Sequence, residues 1–205
     1  LKELLLLGFK ISESTVHRYC DRTTKPPSQT WRTFLKNHKA DTVAIDFLTI
    51  PTVRLSLLYC FIILDHSRRK ILHFNVTYNP TAEWTGLQVK QAFPWDESPK
   101  YLLRDNDKIY GKKFSETVDN MHIKQVRISP YCPWQNPYIE RFMGTLRRDC
   151  LDHMIILGED HLYNIVKEFV RYYNNSRCYE SLNGNSPIPR KVENGKGKII
   201  SKDFL

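Results

Sequence analysis

Three acidic residues stand at positions where a carboxylate needs a chemical reason. Asp46 interrupts the apolar stretch over residues 42–48, which has the pattern of a buried strand, and an unpaired charge would be costly there. Asp105 ends a short apolar run and is followed by Asn-Asp, which predicts a strand that delivers an acid into a loop. Glu140 comes soon after Pro137, a residue type favoured at the first helical position, so Glu140 is predicted in the first turn of a helix.

Carboxylates held by strands and helices are suitable ligands for a hard cation such as Mg²⁺. No set of Cys and His residues accompanies these acids at the spacing of a zinc site. Each acid also has a structural alternative. Asp46 could be a hydrogen-bonded buried acid, Asp105 a turn residue, and Glu140 a first-turn acid favoured by the helix dipole. We favour a shared metal site because the three acids occur together.

Other residues are weaker candidates for the same chemistry. Asp65 lies in a predicted hairpin turn, where aspartate is common for structural reasons. Asp107 offers a fourth carboxylate near the site, whereas His66 and His122 are isolated histidines to which we assign no catalytic role. Trp134 either anchors a loop or stacks near nucleic acid, and the sequence leaves both alternatives open.

Hydrophobic periodicity predicts the elements that must position the acids. The order of three strands, helix, strand, helix, strand and two helices predicts an α/β fold in which helices flank a mixed five-stranded sheet. Acids on the first strand, at the end of the fourth strand and on a following helix can then converge on one edge of the sheet. The predicted strands cover residues 42–48, 57–64, 71–76, 101–105 and 123–128, and the predicted helices cover residues 82–93, 114–120, 137–150 and 159–173.

Residue types also predict where the helices begin and which side chains they bury. Thr81 is predicted to cap the first of these helices, and Asn136 is predicted to cap the helix that begins at Pro137. Helical spacing of apolar residues predicts the buried faces. The side chains predicted to be buried are Trp84, Leu87, Phe93, Ile139, Phe142, Met143, Leu146, Cys150, Leu162, Ile165, Val166, Phe169 and Tyr173.

The first 21 residues have the pattern of a helix, a break at Gly8 and a second helix that opens at Ser12. Arg18 would lie on the outer side of this second helix. Such a pattern is typical of the second half of a DNA-binding helix-turn-helix, but any short amphipathic hairpin would also produce it. The predicted organisation is a partial helix-turn-helix over residues 1–24, a linker over 25–40, a core domain over 41–190 that contains the three acids, and a basic tail over 191–205.

Charge and composition narrow the class of protein. The 205 residues carry a formal net charge of +9, which favours a polyanionic partner, although charge alone also fits a ribosomal or membrane-surface protein. The five cysteines are scattered and form no CxxC pair, which predicts a reducing compartment and no disulfide framework. No apolar run approaches the roughly 18 residues of a membrane span. The apolar start of the chain is too short for a signal peptide. The chain begins at Leu1 with no Met, which predicts a fragment of a longer reading frame.

Together with the acids, several short motifs resemble the DDE catalytic core that retroviral integrases share with bacterial insertion-sequence transposases. Asp105 and Glu140 are separated by 34 residues, as in that family, and the resemblance covers about residues 40–190. Pro137 and Asp107 stand where the family more often has glycine. The matching motifs are Ile63-Leu64-Asp65-His66-Ser67-Arg68, Asp105-Asn106, Pro133-Trp134-Gln135-Asn136, Glu140-Arg141, Gly144-Thr145-Leu146, Tyr173-Asn174-Asn175-Ser176-Arg177, Ser181-Leu182 and Pro187.

The resemblance implies a ribonuclease-H-like fold and metal-dependent DNA cleavage and strand transfer. It implies that Asp46 bridges two Mg²⁺ or Mn²⁺ ions when DNA is bound, that Asp105 holds one ion and that Glu140 holds the other. Arg141, Arg147 and Arg148 could neutralise phosphates near Glu140, and their alternative role is a solvated basic face. Arg18 would contact DNA from the helix-turn-helix.

The resemblance also implies partners and a setting. The expected partner is double-stranded DNA, both the element ends and the target, bound by a homodimer or a higher oligomer in the bacterial cytoplasm, with no membrane involved. Two alternatives remain open from the sequence. The chain could be a DNA-binding remnant of a mobile element that no longer cuts, or a ribonuclease-H-like nuclease that only hydrolyses.

Overall fold

The computed structural model describes residue 12 and residues 30–94, 98–129 and 135–191. The chain divides into two compact units, residues 1–34 and residues 35–205, and the second unit contains the sheet. The predicted helix-turn-helix with Arg18, the first part of the predicted linker and nearly all of the basic tail lie outside the described residues, as does Trp134.

A mixed five-stranded sheet forms the centre of the second unit, which confirms the predicted fold class. The strands lie in the order β3-β2-β1-β4-β5. The first three strands pair antiparallel, while β1, β4 and β5 run parallel to one another. The strands are β1 (Thr42–Pro51), β2 (Leu57–Asp65), β3 (Ile71–Thr77), β4 (Tyr101–Arg104) and β5 (Lys124–Arg127).

Helices cover both faces of the sheet. Among the described residues, none of them is long and apolar enough to cross a membrane. The helices are α1 (Trp31–His38), α2 (Ala82–Ala92), α3 (Lys112–Asn120), α4 (Pro137–Asp149) and α5 (Glu159–Asn175). The predicted order of strands and helices is confirmed from residue 42 onwards, whereas helix α1 lies in the segment predicted as a linker.

Strand alternation separates the apolar core from the acid on β1. Val43 and Ile45 belong to the core that α2 and α3 cover. Because successive side chains in a strand point to opposite faces, Asp46 lies on the other face. On that face α4 packs on β1 and β2, and α5 packs on β3.

The register of the parallel strands brings the first two acids to one level. Ala44 of β1 is paired with Leu103 of β4. Parallel strands progress together along the sheet, so Asp46 and Asp105, each two residues further on, lie at the same height. The sequence predicted each acid but not this pairing.

Two predictions about helix starts had different outcomes. Thr81 caps α2, because its hydroxyl accepts a hydrogen bond from the backbone N–H of Trp84 at 3.1 Å. Pro137 is the first residue of α4, as predicted, but the side chain of Asn136 forms no capping hydrogen bond. The Asn136 side chain is buried next to His66, so it is not available to the first turn of α4.

The prediction that Leu87 is buried was wrong, since half of this side chain is exposed. The inner face of α2 carries Thr85, Gly86, Gln88 and Val89 instead. A Cβ atom at Gly86 would lie only 3.1 Å from the hydroxyl of Thr117 on α3, so small side chains allow the two helices to approach closely. Of the other predicted positions, Cys150, Ile165 and Trp84 are only half-buried.

Candidate active site

Asp46 is half-buried in the middle of β1. Its Oδ1 atom accepts a hydrogen bond of 2.7 Å from the backbone N–H of Phe47. The pKa of Asp46 is raised to about 7, mainly by burial, and the hydrogen bond from Phe47 opposes this rise. The negative charges of Asp105, Glu140 and Asp107 also contribute to the raised pKa, in that order. Asp46 is therefore a carboxylate whose negative neighbours oppose its ionisation.

Asp105 follows the last residue of β4 and is also half-buried. Its carboxylate accepts a hydrogen bond of 3.2 Å from the backbone N–H of Asp107. Burial raises the pKa of Asp105, the hydrogen bond lowers it, and the negative charge of Asp107 raises it. The neighbouring Arg104 lowers this pKa by a smaller amount.

Glu140 is exposed in the first turn of α4, as predicted. Partial burial of its carboxyl group raises its pKa, and the negative charge of Asp105 raises it further. The first turn of a helix favours a carboxylate electrostatically, so Glu140 combines a favourable backbone position with repulsion from a second acid.

The negative charges of Asp105, Glu140 and Asp107 act on Asp46, and that of Asp105 acts on Glu140, so these acids lie within electrostatic reach of one another. In the described ranges, no three Asp, Glu, His or Cys side chains form a ready-made metal site. The donors still fit a hard cation chemically, because all of them are carboxylate oxygens. A divalent cation would also remove the repulsion that raises their pKa values.

Asp65 has a structural role in the turn that follows β2. Its Oδ1 accepts a hydrogen bond from the N–H of Ser67 at 3.0 Å, and its Oδ2 accepts one from the Ser67 hydroxyl and one from the N–H of Arg68 at 3.3 Å. These bonds occupy both carboxylate oxygens. The expectation that Asp65 is a turn residue is therefore confirmed.

The two histidines occupy different environments. His66 is fully buried, with its ring edge-on to Tyr138 at a centroid distance of 5.0 Å. His122 is exposed in the connection between α3 and β5, at a left-handed φ of 58°. Neither histidine is among the charged groups that shift the pKa of Asp46, Asp105 or Glu140.

The basic residues of α4 are exposed but differ in their contacts. The guanidinium of Arg147 donates a hydrogen bond of 3.0 Å to the carbonyl of Thr49 on β1. The guanidinium of Arg148 lies beside Gly144, 3.1 Å from the place of a Cβ atom there. Arg141 directly follows Glu140, so it is the basic residue of α4 next to the acids in sequence.

Sequence reasoning missed the cationic groups around Tyr138. This ring lies in the first turn of α4, between Lys39 at 5.9 Å and Arg69 at 4.6 Å from its centroid. Such cation–π pairs hold positive charge at a fixed place. No spacing in the sequence links these three residues, because they come from separate segments.

Sequence reasoning also missed Arg104, the residue directly before Asp105. This arginine is buried with 2% of its surface exposed. Its position in an apolar run was the available signal, because a buried arginine requires hydrogen-bond acceptors around it.

Comparisons with known proteins agree with the fold and the resemblance. Residues 121–187 match a protein family described as the integrase core domain. An uncharacterized 39.2 kDa protein of the insertion element IS476 from Xanthomonas euvesicatoria is 21% identical over 161 residues, which are 78% of this chain and 46% of the relative. The chain thus spans less than half of that relative.

Solved structures show the same fold at low sequence identity. The magnesium complex of the HTLV-2 integrase catalytic core domain, in its trimeric form, has a TM-score of 0.55 and 15% identity, over 72% of this chain and 93% of that one. A chain of the simian T-cell lymphotropic virus intasome with the PP2A regulatory subunit B56 gamma has a TM-score of 0.61 and 14% identity, over 98% and 76% of the two chains. The chain therefore resembles the integrase core domain and an insertion-element protein in sequence, and it has the integrase core fold.

Proposed function

We propose that this chain is the catalytic core of a DNA transposase or integrase of the insertion-sequence kind. The observation that carries the proposal is the electrostatic coupling of Asp46, Asp105 and Glu140 on a sheet with the integrase core fold. The match of residues 121–187 to the integrase core domain and the insertion-element relative support the same activity.

The proposed reaction is cleavage of a DNA phosphodiester followed by strand transfer. Water attacks the phosphorus atom and the released strand keeps a 3′-hydroxyl group. That hydroxyl then attacks the phosphorus atom of a phosphodiester in the target DNA. The bond between this phosphorus and the 3′ oxygen of the target strand breaks as the new bond forms. The reaction exchanges one phosphodiester for another, so it requires no ATP.

The three acids would hold two Mg²⁺ or Mn²⁺ ions in the presence of DNA. When bound, such ions lower the pKa of the attacking oxygen and stabilise charge on the leaving oxygen. By analogy with the family that the sequence resembles, Asp46 would serve both ions, while Asp105 and Glu140 would serve one ion each. The exposed position of Glu140 leaves this side of the site open to a DNA strand.

The proposed partner is double-stranded DNA, bound through phosphate contacts of the basic residues on α4. Arg141 and Arg148 are the better candidates, since Arg147 also donates to Thr49. The structurally similar HTLV-2 integrase catalytic core domain is described in a trimeric and a dimeric form. We propose that this chain likewise acts as a homodimer or higher oligomer, in the bacterial cytoplasm.

The test is Mn²⁺- or Mg²⁺-dependent nicking and joining of a labelled DNA duplex by the wild type and by Glu140→Gln, which removes a charge with little change in shape. The matched control is Glu159→Gln, the same change in the first turn of α5. We expect activity from the wild type and the control, and a loss of about 100-fold or more in Glu140→Gln.

Equal DNA binding by all three proteins would show that Glu140 acts in chemistry. Nicking without joined products would instead indicate a nuclease that only hydrolyses. Binding without nicking by the wild type would indicate a DNA-binding remnant and would overturn the proposal for this chain.

A further inference from the structure

Arg104 is the last residue of β4 and the neighbour of Asp105, yet its guanidinium points into the protein. Its Nη1 donates a hydrogen bond of 2.8 Å to the backbone carbonyl of Asp105. Its Nε donates one of 2.9 Å to the Oε1 atom of Gln125 on β5. One planar group thus joins the end of β4 to the next strand of the sheet.

Two aromatic rings also pack against the guanidinium of Arg104. The guanidinium carbon of Arg104 lies 5.1 Å from the ring centroid of Tyr110 and 5.7 Å from that of Phe114. Both rings are buried, and Phe114 belongs to α3. Because the loop after Asp105 leads to Tyr110, the cation–π contact also ties the far end of this loop to Arg104.

Gln125 is itself held in place. Its side-chain amide donates a hydrogen bond of 3.0 Å to the carboxylate of Asp119 and a longer one of 3.5 Å to the carbonyl of Ser115, both on α3. The chain of contacts therefore runs from α3 through Gln125 and Arg104 to the backbone of Asp105. Each link is a hydrogen bond between groups on rigid elements.

We propose that Arg104 is a positioning residue, which fixes the direction of the Asp105 carboxylate by holding the Asp105 carbonyl. This inference rests on the proposed function for its catalytic meaning. Asp105 lies just beyond the end of β4, where the sheet no longer fixes its backbone. The hydrogen bond from Arg104 replaces the missing strand contact, and the bond from the N–H of Asp107 then orients the carboxylate itself.

Arginine suits this role better than lysine. Its planar fork can donate to two acceptors at fixed angles while it stacks on aromatic rings, whereas an ammonium group is a flexible point charge. We therefore expect Arg104→Lys to keep only part of the function. Groups that orient metal ligands from behind commonly change metal affinity by about 10-fold to 100-fold when they are replaced.

The experiment compares Arg104→Met, Arg104→Lys and Gln125→Met with the wild type. Arg127→Met is the matched control, because Arg127 is exposed on β5 in register with Arg104. The first measurement is Mn²⁺ binding without DNA, by electron paramagnetic resonance of the free ion. We expect about 10-fold weaker binding in Arg104→Met, a smaller loss in Arg104→Lys and Gln125→Met, and no change in Arg127→Met.

The second measurement separates positioning from general stability. Well below the unfolding temperature, Arg104→Met should need about 10-fold more Mn²⁺ for half-maximal nicking, and Arg104→Lys and Gln125→Met should need a smaller excess, with KM for DNA within about twofold of the wild type. Amide hydrogen exchange at residues 106–109 should also be faster in the Arg104 variants than in the control. If Arg104 only stabilised the fold, its replacement would lower the unfolding temperature without changing the Mn²⁺ dependence of nicking by the folded protein.

Wild-type Mn²⁺ affinity and unchanged exchange at residues 106–109 in both Arg104→Lys and Gln125→Met would overturn the positioning role, even if Arg104→Met failed to fold. A wild type that neither binds Mn²⁺ nor nicks DNA would overturn the proposed function instead. In that case the exchange measurement still decides whether Arg104 holds the loop.

Discussion

At the scale of single residues, the charge of Asp46 lowers the folding stability of the protein. Asp46 is half-buried among carboxylates, and its pKa rises to about 7 because burial and three negative neighbours oppose its ionisation. A protein selected only for stability would place an apolar or amide side chain at this position of β1. The cost indicates a function for the charge, and a bound cation would offset that cost.

Replacement of Asp46 by asparagine should therefore stabilise the metal-free protein. The amide keeps the size of the side chain and removes its charge, so we expect a gain of about 1–2 kcal/mol at pH 8, since the side chain is only half-buried. The measurement is urea unfolding in EDTA. Asp65→Asn is the control, and it should not stabilise the fold because Asp65 accepts three hydrogen bonds in its turn. An Asp46→Asn variant less stable than the wild type would contradict the argument.

The buried side chain of His66 makes the free energy of unfolding depend on pH. Its burial lowers its pKa to about 4, with further effects from Asp65, Lys39 and Asn136. The unfolded chain, with a histidine pKa near 6.5, binds more protons between about pH 6.5 and 4 than the folded chain does. Stability is therefore lost as the pH falls through this range.

The variant His66→Phe removes this titration and keeps a ring beside Tyr138. Between pH 7 and pH 4.5 we expect the wild type to lose about 2 kcal/mol more unfolding free energy than the variant. Chemical denaturation at the two pH values measures the difference, and His153→Phe, at an exposed histidine, is the control. Equal losses in the wild type and His66→Phe would show that His66 does not cause the acid sensitivity.

At the scale of elements, side-chain hydrogen bonds attach the edge strand β3 to α5. Asn174 near the end of α5 accepts a hydrogen bond of 3.0 Å from the N–H of Ile71 and donates one of 2.9 Å to the carbonyl of the same residue. Arg68 donates to the carbonyls of Pro187 and Ser186. These contacts give Asn174 of the Tyr-Asn-Asn motif and Pro187 a structural role in the fold.

Loss of the Asn174 side chain should detach this edge of the sheet. Asn174→Leu has a similar volume but leaves both backbone groups of Ile71 without their partner, so we expect a loss of about 2–4 kcal/mol. Urea unfolding measures it. The same substitution at the neighbouring, exposed Asn175 should change stability by less than about 1 kcal/mol, and equal effects at the two positions would exclude the proposed role of the paired hydrogen bonds.

The elements also show what the sequence could and could not predict. Periodicity predicted every strand and each helix of the core after residue 80, because apolar patterns depend on local burial. Leu87 was assigned wrongly because the inner face of α2 is set by its close contact with Thr117 of α3. Asn136 is the N-cap residue of α4, as predicted, but its side chain is buried beside His66 and forms no capping hydrogen bond. Both departures from the expectation arise from contacts between segments far apart in sequence.

At the scale of the whole molecule, the same limit applies to the candidate site. Asp46, Asp105 and Glu140 could be selected from residue type and local pattern, and their identification as metal ligands stays a prediction. Their approach to one another depends on the register of β4 against β1 and on the packing of α4, which no local pattern contains. The supporting residues Arg104 and Gln125 act across two strands, so sequence reasoning had no direct way to find them.

The net charge of +9 leads to a prediction about DNA binding by the whole chain. A cation that binds a phosphate releases counterions from the DNA, so removal of one such cation changes the slope of log K against log salt concentration by about 0.9. Arg141→Gln and Arg148→Gln should each weaken binding of a DNA duplex and reduce the slope by about 1. Fluorescence anisotropy at several salt concentrations measures both quantities, with Lys167→Gln on the exposed side of α5 as the control.

The slope of log K against log salt concentration distinguishes a direct phosphate contact from the general attraction of a basic protein to DNA. Charge acts at long range, so each of the three variants weakens binding slightly at low salt, including the control. Only a cation that binds a phosphate directly changes the slope by about 1 when it is replaced. Unchanged slopes for Arg141→Gln and Arg148→Gln would assign these arginines to a solvated basic face and would move the DNA path away from α4.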